Sequence, residues 1–258
     1  MKRNIILCAA LIIFVLVFVQ FSSGAGKQKK PSPKTEGPSI SLKAETLTFD
    51  IRWKFINAGS AVIKVIPLGD NVKITADVSS NKTISAFYPV KDIAETLIYK
   101  GYPKSYRLKQ SEGRRRKDRE AVFDWGNKDI KFINHMSSST AEKIELPKMP
   151  VWDLLSGLYF LRSQRLEVGN YFTLNLVDTK RPYEVDFKVL KKERIKHKQF
   201  GNIEALLIKP QLSADTQKTY KKKGDIDIWL SNDERKLPLK IEAKVLVGSI
   251  TLTLVSVQ

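Results

Sequence analysis

The sequence predicts a mainly β protein: a strongly curved antiparallel sheet or partly closed β-barrel with one short buried helix at about 151–163. Two observations carry that reading. Between Leu42 and the C-terminus, segment after segment alternates apolar and polar residues, the period of a strand that buries one face. Against them stands a single stretch, Pro150–Arg165, whose apolar residues recur at helical spacing. Leu154, Leu158 and Leu161 fall at i, i+4 and i+7, while Trp152, Leu155 and Tyr159 cover a second face. Such a helix is apolar around most of its circumference and requires burial nearly all round. Pro150 suits its first turn, Asp153 its positive end, and Arg162 and Arg165 its negative end.

Taken in order, the chain opens on Lys2 and Arg3, an uncharged run over Ile5–Phe21, and the small residues Ser23-Gly24-Ala25. This is the pattern of a secretory signal over 1–25, cleaved after Ala25. The length of the run and the lysines behind it leave an uncleaved inner-membrane anchor as the alternative. Cys8, the only cysteine, lies early in the run, away from any small-residue site at its end, which argues against lipoprotein attachment. The mature chain then has neither disulfides nor thiolate metal sites. Residues 26–41, rich in Lys, Pro and Ser, read as a disordered basic tether, and residues 42–258 as a single β-rich domain.

The first strand carries Leu47, Phe49, Ile51, Trp53 and Phe55 on its buried face. Asn57-Ala58-Gly59 then reads as a turn into Ala61–Ile66, and Gly69-Asp70-Asn71 as a turn into Val72–Val78. A fourth strand closes at Thr96–Tyr99. Ser105–Gln110 and Ala121–Trp125 flank a charged hairpin end over Glu112–Arg119, and Ile130–Asn134 and Ala141–Leu146 are short enough for edge strands or loop. Beyond the helix, Phe172–Leu176 and Tyr183–Val189 alternate, followed by Ala205–Ile208, Ile226–Leu230, Leu239–Val247 and Ser249–Val257. One face of these strands carries Lys, Glu and Asp throughout, which excludes an outer-membrane barrel with a lipid-facing exterior.

The formal net charge of +18 falls to +16 once Lys2 and Arg3 leave with the signal. In an exported, periplasmic protein this charge points away from nucleic acid and toward anionic lipid, lipopolysaccharide phosphates or acidic glycans, with an envelope protein as a further partner class. Arg114, Arg115, Arg116, Lys117 and Arg119 are the candidate grip on such an anion, converging with Lys191–Lys198 and Lys218–Lys223 on one rim, although successive strand side chains alternate in direction. Trp152, Leu155 and Tyr159 are candidates to line an apolar cavity beneath it.

Catalytic chemistry is sparse. His135 and His197 lack partners at metal-ligand spacing, so no metal and no cofactor is implied. His135 precedes the serines Ser137–Ser139 without a nucleophile-elbow pattern, and His197 reads as a solvated strand end. Asp225 with Asp227, and Asp118 with Glu120, could face a cleft as paired carboxylates, but they occupy the outward phase of their strands. No catalytic residue is assigned.

Four segments together resemble the bacterial exported family called domain of unknown function 3108. They are the opening strand with Trp53 and Ala58-Gly59, FYPVKDIAETLIYKGYPKSYRLKQSEGRRRKDREAVFDW at Phe87–Trp125, DLLSGLYFLR at Asp153–Arg162 followed by Gly169, and IWLSNDERKLPLKIEAKVLVGSITLTL at Ile228–Leu254. The resemblance implies a β-rich periplasmic or envelope-associated domain and brings no catalytic residues with it. The functional expectation is a non-catalytic envelope protein that binds an amphipathic or anionic ligand in or on a curved sheet. A carboxylate-dependent hydrolase of envelope polymers and a scaffold for an envelope complex are the alternatives.

Overall fold

The computed structural model describes residues 40, 42–138, 141–146, 150–212, 225–245 and 247–258. The expected signal, the tether apart from Ile40, Ser139 and the Lys218–Lys223 cluster lie outside them, and Ile40 itself packs into the core. One arm of the chain meanders through β1 (Glu45–Trp53), β2 (Ile56–Leu68), β3 (Asn71–Ser80), β4 (Lys91–Tyr99), β5 (Tyr102–Glu112), β6 (Arg115–Asp124), β7 (Asp129–Asn134) and β8 (Glu142–Glu145). A short helix, α1 (Lys82–Ser85), sits between β3 and β4. The second arm runs from β9 (Val151–Asp153) and helix α2 (Leu154–Ser163) through β10 (Tyr171–Val177), β11 (Pro182–His197), β12 (Gly201–Leu212), β13 (Ile226–Ser231), β14 (Pro238–Val245) and β15 (Gly248–Val257).

Among the described residues, fifteen strands form one sheet, in which β15 pairs with β1 so that the two arms join at the middle. Pairing is antiparallel except between β9 and β10. The edge strands β8 and β9 are not paired to each other. Curvature instead brings β9 against β5, and α2 fills the space between the arms, packing on β3, β4, β9 and β10. The sequence builds this directly: Leu47, Phe49 and Ile51 on β1, Ile74, Ala76 and Val78 on β3, and Ile250, Leu252 and Leu254 on β15 all point into the core. Leu154–Leu161 of α2 is buried on every side, as its all-round apolar character required.

Several local expectations are corrected. The helix spans Leu154–Ser163, because Asp153 is its N-cap. The Asp153 Oδ1 accepts from the backbone N–H of Leu155 (2.9 Å) and Ser156 (3.1 Å), and Ser156 Oγ accepts from the Asp153 N–H in return (3.1 Å). Val151–Asp153 pair with Asn175–Val177, so Pro150 precedes a strand, Trp152 is a strand residue and Arg165 lies beyond the helix. Trp152 still meets α2, stacking on Phe160 at 4.5 Å between ring centroids.

The chain turns at Lys54-Phe55, with Lys54 at φ 52°, and not at Asn57–Gly59, which belong to β2 and carry a bulge at Ala58, opposite Ile51 and Arg52. Phe55 thereby leaves the buried phase and projects into solvent. Gly59 is required by proximity: a Cβ there would lie 2.0 Å from the Ser79 carbonyl oxygen of β3. The charged hairpin end shrinks to Gly113-Arg114, with Gly113 at φ 55°, and Arg115–Arg119 are part of β6. His197, expected in solvent, is buried and stacks on Phe200 at 4.9 Å.

Candidate functional site

The inner face of β4, β5 and β6 is polar where the two arms meet. Alternation puts Asp92 and Thr96 of β4 on that face with Ala94 and Ile98, and Gln110 and Glu112 of β5 with Tyr106 and Leu108. Cross-strand partners share a face, so Leu108↔Arg119, Gln110↔Lys117 and Glu112↔Arg115 bring three cations of β6 inward. The intervening Arg116, Asp118 and Glu120 point the other way. Of the expected anion grip, the strand therefore turns Arg115, Lys117 and Arg119 inward, leaves Arg114 at the exposed turn, and turns Arg116 outward to donate to the carbonyls of Gly113 and Arg115, both at 2.9 Å.

Gln110 is the hub of the buried network. Its amide donates to Glu112 Oε1 (3.2 Å) and Asp92 Oδ2 (3.5 Å), while its oxygen accepts from Lys117 Nζ (3.2 Å). The Ser111 N–H holds Asp92 Oδ1 at 2.9 Å. Asp92 and Glu112 are hydrogen-bonded to each other. Burial, then the Asp92 charge, push the Glu112 carboxyl up to about 8, so it keeps its proton at neutral pH. Burial raises Asp92 as well.

Deeper in, the fully buried Tyr106 hydroxyl has no hydrogen-bond partner among the described residues. Burial and the carboxyls of Asp153, Asp178 and Asp92 push its ionisation well above the usual phenol range. Asp153 accepts from Thr96 Oγ1 at 2.7 Å, tying α2 to β4. Asp178 orders the turn of the second arm by accepting from the backbone N–H of Arg181 at 3.0 Å. That turn brings Lys180 toward β6, where burial, then repulsion from Arg119, lower its affinity for a proton; Asp178 opposes this, and Lys117 and Arg181 add to it.

The remaining sequence candidates separate. Trp152, Leu155 and Tyr159 are all buried around α2, with the Tyr159 hydroxyl donating to Glu45 Oε2 at 3.1 Å. Lys191 pairs with Glu193 at 2.7 Å on β11, about nine residues and so about 30 Å from the Pro182 end that approaches β6. His135 pairs with Glu120 (2.8 Å), and Asp118 with Arg107 (2.8 Å). Asp225 and Asp227 share Lys209 at 3.8 and 4.0 Å. Each carboxylate singled out in the sequence is thus matched to a basic side chain. The carboxyl pair that does face itself, Asp92 and Glu112, was not singled out, nor were Gln110, Tyr106, Asp178 and Lys180. The signal for two of them lay in plain view, since Asp92 and Glu112 occupy the buried phase of their strands.

The family model for "Protein of unknown function (DUF3108)" matches residues 48–255. No curated protein matches the chain. Among solved structures, the chain is similar to the crystal structure of a β-barrel-like protein of domain of unknown function DUF1849 from Brucella abortus. The two are 10% identical, with a TM-score of 0.55 over 83% of this chain and 97% of that one. At that identity the likeness is one of fold.

Proposed function

This chain belongs to the DUF3108 family, and we propose that it is an exported, non-catalytic envelope protein that binds an anionic ligand at the polar seam between its two arms. The observation that carries this reading is the convergence of Lys117 and Arg119 from one arm with Lys180 from the other. Like charges crowded in a partly buried place repel, and a phosphate or carboxylate group between them relieves that repulsion while accepting charge-assisted hydrogen bonds. The ligand class is the oxyanion group of an envelope lipid, lipopolysaccharide or acidic glycan, and the periplasm is its compartment. Supporting this are the basic composition and the β-barrel-like architecture shared with the DUF1849 protein.

Native mass spectrometry of the protein released from its own envelope, followed by solvent extraction, is expected to show a bound anionic species. The double variant Arg119→Glu, Lys180→Glu is expected to lose it, with at least a tenfold weaker affinity for purified lipopolysaccharide or phosphatidylglycerol micelles. Ligand-free wild-type protein with no affinity for either probe overturns the reading.

A second reading, hydrolysis of an envelope polymer, is favoured by one observation: Asp92 and Glu112 are two carboxyls hydrogen-bonded to each other, with burial and the Asp92 charge pushing Glu112 up to about 8. Asp92→Asn and Glu112→Gln separate the two readings. They abolish hydrolysis of purified envelope polysaccharide if the pair is catalytic, and leave anion binding in place if it is structural.

A further inference from the structure

We propose that one end of the sheet is a membrane-docking surface that seats on an anionic phospholipid bilayer. In an up-and-down meander alternate turns fall at the same end, and here the turns β1–β2, β3–β4, β5–β6 and β14–β15 do so. They are also joined to one another. The Trp53 indole N–H donates to the Val247 carbonyl at 2.9 Å, linking β1–β2 to β14–β15. Asn81 at the start of α1 donates from its side chain to the Asn57 carbonyl at 2.7 Å and from its backbone to the Ala58 carbonyl at 3.0 Å. The Gly113 N–H donates to the Pro89 carbonyl at 2.8 Å, linking β3–β4 to β5–β6.

Two properties of this end distinguish it. The first is exposed apolar surface at the tips: Phe55 is 90% exposed, Phe87 86% and Ile56 51%, with Val247 beside them. The burial pattern of a packed sheet has no use for a phenylalanine at such a position, and two of them share one end. The second is charge. Residues 52–57, 81–89 and 113–116 contain Arg52, Lys54, Lys82, Arg114, Arg115 and Arg116, and no aspartate or glutamate. The opposite end mixes signs, with Asp70, Asp233 and Glu234 among Lys100, Arg235 and Lys236.

Aromatic and branched side chains at loop tips, ringed by cations of one sign, match the two layers of a bilayer surface. The apolar tips reach the acyl boundary while the cations lie among the phosphates of the anionic leaflet. This surface uses residues other than the Lys117, Arg119 and Lys180 seam and stands if that site takes no ligand.

The test uses the full chain with vesicles of three parts phosphatidylethanolamine to one part phosphatidylglycerol, the phosphatidylethanolamine carrying dibrominated acyl chains. The apolar N-terminal run can bring any variant to the vesicle, so the readout is which end touches it. Phe55→Trp and Phe87→Trp probe the docking end, and Leu68→Trp, half-exposed at the opposite end, is the control. Relative to the unsubstituted chain, the first two probes are expected to lose at least half of their added emission to bromine quenching and the third to lose little. Replacing Arg114 and Arg116 by Glu, or phosphatidylglycerol by phosphatidylcholine, is expected to remove the difference. Equal quenching at both ends, no quenching at either Phe-derived probe, or quenching indifferent to lipid charge overturns the proposal.

Discussion

Replacing Gly59 by alanine sets a methyl carbon 2.0 Å from the Ser79 carbonyl oxygen, a contact relieved only by parting β2 from β3. Gly59→Ala is therefore expected to destabilise by about 2 kcal/mol or more, read as a lower denaturant midpoint, whereas alanine at solvent-facing Asn57 is expected to cost under about 1 kcal/mol. Glu112 gives a pH signature. Its folded-state value of about 8 lies above the ordinary 4.5, so the folded state holds the proton more tightly, and stability falls as pH rises from about 4.5 to 8. Glu112→Gln is expected to flatten that part of the profile, with thermal midpoints at pH 5 and pH 8 drawing closer than in the parent. Both residues were visible in the sequence and neither was read for its role. Gly59 beside Asn57 looks like turn chemistry until the partner strand is known, and Glu112 falls in the buried phase of its strand, but only the fold sets it beside Gln110 and Asp92.

At the scale of elements, the helix was legible because an all-round apolar stretch at helical spacing has one stable environment, the interior of a curved sheet. Its first turn was not. Val151–Asp153 is committed to β10 by backbone pairing that leaves no trace in side-chain pattern, and the Asp153 cap decides where the helix begins. The other end of α2 is fixed by Arg162, which grips the Glu45 carboxylate through both oxygens at 2.7 and 2.8 Å and lies over the Tyr159 ring at 4.7 Å. Burial alone would raise Glu45, but this pairing and the Tyr159 hydroxyl hold it below the usual range. Arg162→Ala strips that part-buried carboxylate of its bidentate partner, leaving only the more distant charge of Arg235, and is expected to cost about 2 kcal/mol. The double variant Arg162→Leu, Glu45→Leu is expected to recover most of the loss in equilibrium denaturation.

For the molecule as a whole, alternation identified most strands and the face each buries, but not their order. A strand's pattern states which side is wet and is silent about which neighbour it takes, so the pairing of Leu47 with Val257 across nearly the whole domain was invisible. The same gap hid the seam, since Lys180 comes within electrostatic reach of Arg119 only because the sheet curls. Joined as they are, with the Thr46 and Gln258 backbones exchanging hydrogen bonds at 2.7 and 3.0 Å, the first and last strands lend themselves to rearrangement. A permutant linking Gln258 to Glu45 and opened at Gly69-Asp70 is expected to fold with near-parental circular dichroism and melting behaviour, whereas a chain ending at Val247 is expected to associate through the bared edges of β1 and β14.

That arrangement also sets a schedule. A nascent polypeptide emerges start-first, yet the slot at the centre of this sheet falls to Gly248–Val257, which follows the other fourteen described strands in the chain. Until they arrive, two unfinished ribbons wait side by side with raw margins, so the fold closes late, through the long-range pairing of β15 with β1.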